Sequence, residues 1–352
     1  MGLKRSDNAP SGSGNPAEAN PWQSTHHKAM ADREKSDFGR YDEKGYWKPE
    51  KPLRYGPLLR RPWRPGAVLR WLFGWGGYLW PRHVSYAALV AATWFFLQAD
   101  LDAVRTLSAG WILAMLGRNL VLLIAVFGFY HVALYVKRVQ GTRGKYDPKW
   151  QERGKKKFLF RSQVWDNIFW SCVSGVPIWT AYEVFYVWAA ARGVMPLVSW
   201  TSNPVWFVAW LLIIPLWRET HFYFVHRLLH WKPLLRAVHS NHHKNPNPGP
   251  WSGMSMHPVE HLAYFSCLLI HAVVPSHPIH VFYDAQLTAL TPAQGHSGFH
   301  GPLFKGRWPV GDYFHYLHHR YVSCNFGGGT IPWDRWLGRF YDGEGPYRTK
   351  ES

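Results

Sequence analysis

The chain has 352 residues, a formal charge of +18, 47% hydrophobic residues and 22 tryptophans. Three cysteines (Cys172, Cys267, Cys324) stand far apart with no C-x-x-C pair, which excludes a disulfide framework, an iron–sulfur site or a thiolate zinc site. The positive charge does not imply nucleic acid: its densest run, ten Lys/Arg between Lys137 and Arg161, directly follows an apolar helix pattern, where basic residues set membrane topology and touch anionic lipid.

Residues 1–65 read as a polar, basic N-terminal tail. Its first 50 residues lack apolar periodicity and are expected to be largely disordered, and 47–65 form a proline-punctuated stretch along a membrane surface. No apolar run follows the first basic residues, so no secretory signal is expected there. Met1 to Ser6 fits the short myristoylation pattern, a match that arises easily by chance.

Four apolar stretches read as spanning helices: 84–99, 111–136, 165–190 and 205–229. The mean hydropathy of the chain is only −0.25 because the polar stretches 1–65 and 137–163 dilute these segments. Loops 100–106 and 191–204 carry one basic residue each, against ten in 137–161. The positive-inside rule then places 1–80, 137–163 and everything beyond about residue 229 on the cytoplasmic side, giving two hairpins. The domain reading follows: a tail (1–65), a first transmembrane hairpin (66–136), a basic cytoplasmic loop (137–163), a catalytic region (164–342) and a C-terminal tail (343–352). Pro177 and Pro215 should kink helices three and four. Arg118, His131 and Glu183 lie at membrane depth, either lining a path or pairing within the bundle. The apolar stretches 262–274 and 278–290 are shorter and read as re-entrant or interfacial helices. The expected fold class is all-α: a multi-pass membrane bundle of about four spans with a cytoplasmic, histidine-rich helical cap.

Sixteen of the twenty histidines fall between His221 and His319. Their spacing carries the chemistry. His226 and His230 are an i, i+4 pair; His239, His242 and His243 are i, i+3, i+4; His296 and His300 repeat the pair, and His315, His318 and His319 repeat the triplet. On helices such spacings bring imidazoles to one face. One metal takes four to six ligands, so ten convergent imidazoles imply two, and neutral nitrogen donors favour zinc, iron, copper or nickel over magnesium or calcium.

The order H-x3-H, H-x2-H-H, H-x3-H, H-x2-H-H behind four apolar helices resembles the fatty acid hydroxylase/sterol desaturase superfamily. So do His226-Arg227, the string Met256-His257-Pro258-Val259-Glu260-His261, Gly295-His296-Ser297-Gly298 and Asn325-Phe326-Gly327. The resemblance covers about 165–342. It implies a membrane-bound di-iron centre that uses O2 to hydroxylate or desaturate a lipid of sterol or fatty-acyl type. Carried over by position, it implies metal ligands at His226, His230, His239, His242, His243, His296, His300, His315, His318 and His319, His300 being a feature of only part of the superfamily. His257 and His261 are implied as auxiliary or supporting residues. His221, His271, His277 and His280 lie outside the boxes.

Ligating imidazoles need a partner for the second ring nitrogen; Asp312 is the first candidate, then Glu260 and Glu219. The chain carries no fused haem box or ferredoxin cysteines, so electrons are expected from a separate cytochrome b5- or ferredoxin-like donor, for which the basic loop 137–161 is one docking surface. The alternative function is a zinc-loaded non-oxygenase or a metal-binding or transport membrane protein. Neither substrate nor oligomeric state is encoded in any residue pattern here.

Overall fold

In a computed structural model, residues 39–303 and 308–347 are described. Expectations for residues 1–38, including the myristoylation pattern, and for 348–352 fall outside them. The described chain is predominantly helical, with two small two-stranded antiparallel sheets.

The stretch expected to be disordered is ordered from Gly39 onward. Strands β1 (Gly39–Tyr41) and β2 (Trp47–Pro49) pair in register Gly39 with Pro49. Trp47 anchors the hairpin. It is fully buried, hydrogen-bonds through its backbone N–H to the Tyr146 carbonyl and packs with Tyr146, Tyr313, Tyr316 and Leu317. A single large aromatic side chain therefore overrides a polar local composition.

Helices then form where the apolar stretches predict them. A short α1 (Pro65–Phe73) precedes α2 (Val84–Leu97), and α3 (Ala109–His131) continues through a wide turn at Val132–Val136. The third apolar stretch is α4 (Gln163–Trp170) and α5 (Val176–Ala191), joined by a wide turn at Ser171–Gly175. Pro177 lies one residue beyond that turn, consistent with its missing N–H and the ring's demand for space. The fourth, α6 (Pro204–Leu229), runs through Pro215 unbroken. Asn203 caps it by accepting the Trp206 N–H. Among the described residues, only Ala109–Val136 is, by length and composition, apolar enough to cross a membrane.

Large apolar side chains face outward along all four stretches: Phe96 on α2, Val121 on α3, Phe185 on α5 and Val205 on α6 are each about half exposed or more. Inside, Arg118 and Glu183 pair with each other. Asn119 Nδ2 and Trp179 Nε1 also donate to the Glu183 carboxylate, each at 2.8 Å. Pairing within the bundle, rather than lining a path, accounts for both charges.

After α6 the chain passes through the short turns Leu235–His239 and Ser240–His243 to α7 (Pro258–Phe265) and α8 (Pro278–Leu290). Helix α8 corrects the interfacial reading of 278–290. All its residues but Ile279 are buried, because it threads the centre of the bundle against α2, α5 and α6. The expected surface helix is the core element. A β-hairpin (β3, Gly301–Leu303; β4, Trp308–Val310) leads into α9 (Tyr313–Tyr321).

Candidate metal centre

Nine of the ten box histidines meet at one end of the bundle in two groups. His226, His230, His239, His243 and His318 form one group; His242, His296, His315 and His319 form the other. Adjacent residues separate. His242 and His243 turn to different groups, as do His318 and His319, since neighbours on a helix diverge by about 100°. The triplets therefore do not present one face to one ion, as their spacing suggests. Each triplet straddles both groups: its i, i+4 members enter one and its i+3 member the other.

In the first group Nε2 of His239 lies 3.1 Å from Nε2 of both His226 and His230, and His243 Nε2 is 3.2 Å from His230 and 3.0 Å from His318. In the second, His296 Nε2 is 3.0 Å from His315 and His319 and 3.4 Å from His242. Nitrogens bound to one ion at about 2.0–2.1 Å are themselves about 2.9–3.4 Å apart. Tautomers decide whether these are hydrogen bonds instead. His226 Nδ1 faces the Phe326 carbonyl at 2.6 Å, His318 Nδ1 the Cys324 carbonyl at 2.7 Å and His296 Nδ1 the Pro292 carbonyl at 3.1 Å. A carbonyl only accepts, so each Nδ1 carries the proton and each Nε2 presents a lone pair. His239 Nδ1 is fixed in the same sense by the Glu260 carboxylate at 2.7 Å. His226 and His239 thus bring two lone pairs to 3.1 Å, which repel unless a cation lies between them; the second group, where His296 alone is fixed, repeats the spacing, so the donor set fits two metal ions.

Burial reinforces this. His239, His242, His243, His315, His318 and His319 are held well below the ordinary histidine pKa, first by burial and then by neighbouring rings; His296 is lowered to about 4. All remain neutral, as ligands must be. Glu260 is pushed up by the same burial.

Several expected residues lie elsewhere. His300 joins neither group: glycine-rich backbone on either side turns it outward from His296, and its ring stacks on Trp47 at 4.4 Å. His257 caps α7 by accepting the Val259 N–H, and His261 meets Ser174 Oγ at 2.8 Å and the Met254 carbonyl; neither touches the two groups. Asp312 caps α9, accepting the His315 backbone N–H rather than a ring proton. Glu219 accepts the N–H groups of Thr330 and Ile331. Of the carboxylates proposed as ring partners, Glu260 alone fills that role directly. Backbone carbonyls do the rest, and Asp334, which the motif reading missed, supports one of them by accepting the N–H groups of Phe326 and Gly327 at 2.8 Å each.

A cavity of about 390 Å³ reaches both groups, with His226, His239, His242, His296 and His315 in its wall. The rest of the wall mixes apolar side chains (Trp71, Phe222, Leu229, Met256) with Arg82, Arg218, Gln294 and the glycine run Gly327–Gly329.

Residues 210–339 match the model of the fatty acid hydroxylase family, a span that takes in all nine clustered histidines. The chain is 27% identical to a Delta(7)-sterol-C5(6)-desaturase of Nicotiana tabacum over 65% of this chain and 81% of that protein. Residues 210–339 belong with the fatty acid hydroxylase family, and the chain's relatives include sterol desaturases. Among other relatives, a Delta(7)-sterol 5(6)-desaturase of Candida dubliniensis is 33% identical over 36% of this chain, which spans about a third (32%) of that protein's length. Fatty acid hydroxylase domain-containing protein 2 of Macaca fascicularis is 23% identical over 77% of this chain and 80% of its own length. No solved structure matches the chain.

Proposed function

We propose that this chain is a membrane-bound di-iron oxidoreductase that uses O2 to hydroxylate or desaturate a lipid. The observation that carries the reading is the convergence of nine imidazoles, four of them with a fixed tautomer, into a five-ligand and a four-ligand group on one cavity. Five convergent nitrogens exceed the four that structural zinc takes, and imidazole suits iron. The names of the sterol desaturase relatives support oxidation of a lipid.

Iron bound there supplies O2 activation and removal of hydrogen from the substrate. The chain supplies position and exclusion of water. Carbonyls of Phe326, Cys324 and Pro292 and the carboxylate of Glu260 hold ring protons so that the Nε2 atoms stay aimed inward. Phe222, Leu229 and Met256 give the cavity an apolar wall against which a hydrocarbon packs.

In this reading α2, α3, α4–α5 and α6 cross the bilayer as two hairpins, with the histidines on the cytoplasmic side. Their outward apolar side chains and the ten basic residues of the 137–161 loop support that topology. Electrons come from a separate donor of cytochrome b5 or ferredoxin type.

Metal analysis of the purified chain, paired with O2 uptake and lipid product analysis in cells with and without it, tests the proposal. Two irons per chain and an O2-dependent oxidised lipid are expected. Zinc alone with no O2 consumption would overturn it in favour of a zinc-loaded, non-oxygenase protein.

A further inference from the structure

The cavity wall contains more charge than a channel for a bare hydrocarbon requires. Three carboxylates line it, and each accepts at least one hydrogen bond: Glu219 from Thr330 and Ile331, Asp312 from the His315 backbone, and Glu260 from His239 through Oε1, while its Oε2 has no partner. The two guanidinium groups in the wall, Arg82 and Arg218, are in a different position. Among the described residues neither comes within 4.0 Å of a carboxylate, although each acts electrostatically on one in the same wall, Arg82 on Asp312 and Arg218 on Glu219. Arg218 meets the Tyr264 hydroxyl, itself donated to the Thr288 carbonyl, while its Nε is enclosed and has no hydrogen-bond partner. The enclosed Nε is closed to a ligand in the cavity, which can meet the guanidinium only through its terminal nitrogens.

The two arginines reach the cavity from separate elements. Arg82 lies just before α2 and Arg218 is on α6. On α6, Arg218, Phe222 and His226 are spaced i, i+4, i+8, so they share one stripe, and all three line the cavity. Arg218 and His226 are eight residues apart, about 12 Å along a helix. The cavity thus has a guanidinium-lined part, where Glu219 also stands, and a metal-ligand part, joined by the apolar wall at Phe222.

We infer that the cavity is built for a lipid with an anionic oxygen end group, a carboxylate or a phosphate, held by Arg82 and Arg218 while its hydrocarbon extends past Phe222 to the imidazole groups. The inference deepens the lipid-oxidation reading by naming the substrate class. Guanidinium groups match carboxylate and phosphate oxygens by paired N–H donation, and a neutral sterol or wax offers no such partner.

The test is competition against a fluorescent fatty acid on the full, metal-loaded chain in non-ionic detergent, with hexadecanoate, hexadecyl phosphate and hexadecanol as competitors. At least one anionic lipid is expected to bind about tenfold or more tightly than the alcohol, a difference of about 1.4 kcal/mol. If both anions compete, the site reads the shared charge; if one does, that end group is assigned. Arg218→Gln and Arg82→Gln should each shrink the preference, the double variant should abolish it, and Arg218→Lys should keep most of it. Equal binding of hexadecanol and both anions by the wild-type chain overturns the inference, as does a preference undiminished in the double variant with normal metal content. Metal identity and O2 uptake measured on the same preparations separate the two readings. An anion preference in a zinc-only protein would leave the cavity assignment standing and remove the oxygenase.

Discussion

His226 donates its Nδ1 proton to the carbonyl of Phe326, 100 residues further along the chain, at 2.6 Å. The Phe326 carbonyl is itself held in place, because the Asp334 carboxylate accepts the N–H groups of Phe326 and Gly327. Asp334 is thus coupled to the five-histidine group through one peptide unit. Asp334→Asn keeps only one side-chain acceptor and turns the other position into a donor facing an N–H. Metal affinity of that group should fall by roughly 10–100-fold, the usual effect of loosening a ligand's support. Equilibrium dialysis against a graded chelator series, followed by metal analysis, measures this; an affinity unchanged from wild type would show that Asp334 has no part in holding the ring.

The division of the triplets between the two groups predicts a stoichiometry. His296→Ala removes one of four ligands from the second group and none from the first. His230→Ala takes one of five from the first group and leaves four, as many as the second group has. His296→Ala should hold one metal per chain where the wild type holds two, and His230→Ala should hold two, the first group's more weakly. His300→Ala should hold two. Loss of metal from His300→Ala would return that residue to the ligand set.

These assignments show what spacing conveys and what it does not. The i, i+4 and i, i+3, i+4 patterns identified nine converging imidazoles because helical geometry is local, and the apolar stretches located the principal helices for the same reason. The partition of His242 from His243 was not legible, because it depends on how the Ser240–His243 and α9 turns are oriented against each other. Of the ring partners only Glu260 was legible; the other three are backbone carbonyls, which every residue carries, and Asp334, which supports one of them, sits in the string Trp333-Asp334-Arg335-Trp336, which carries no motif. His300 has the spacing of a ligand but leaves the site because positive-φ glycines at Gly298 (76°) and Gly301 (101°) flank it, so 296–300 is not a helix. Helix α8 looked interfacial by its length; its central place arises from long-range packing that periodicity does not encode.

His300 also gives a pH prediction. Burial lowers its pKa from 6.5 to about 4, so the folded state favours the neutral ring. Below pH 6.5 the unfolded chain takes up a proton that the folded chain resists. Stability contributed by the neutral ring is therefore complete above pH 6.5 and is lost as pH falls toward 4. His300→Phe keeps a ring to stack on Trp47 and removes the titration. The metal-loaded variant should lose less stability than wild type between pH 7 and 4.5, by about 1 kcal/mol after allowing for the ring's partial exposure. Parallel Tm–pH curves for the two proteins would refute this account.

The Arg118–Glu183 pair is a test of the bundle rather than of the metal centre. Both side chains are almost completely enclosed, and Glu183 also accepts from Asn119 and Trp179. Glu183→Leu leaves a guanidinium without its counter-charge and two further donors without an acceptor. Breaking a buried pair from one side costs about 3–5 kcal/mol. Arg118→Met combined with Glu183→Leu removes both charges and fills similar volume, so it should recover most of that loss. Thermal unfolding of the detergent-solubilised, metal-loaded protein compares the three forms. The expected order of Tm is wild type near the double variant and both well above Glu183→Leu. If the single variant matched wild type, Arg118 would be reaching solvent or another acceptor; if the double variant were as unstable as the single, the cost would come from Asn119 and Trp179 rather than from the stranded charge.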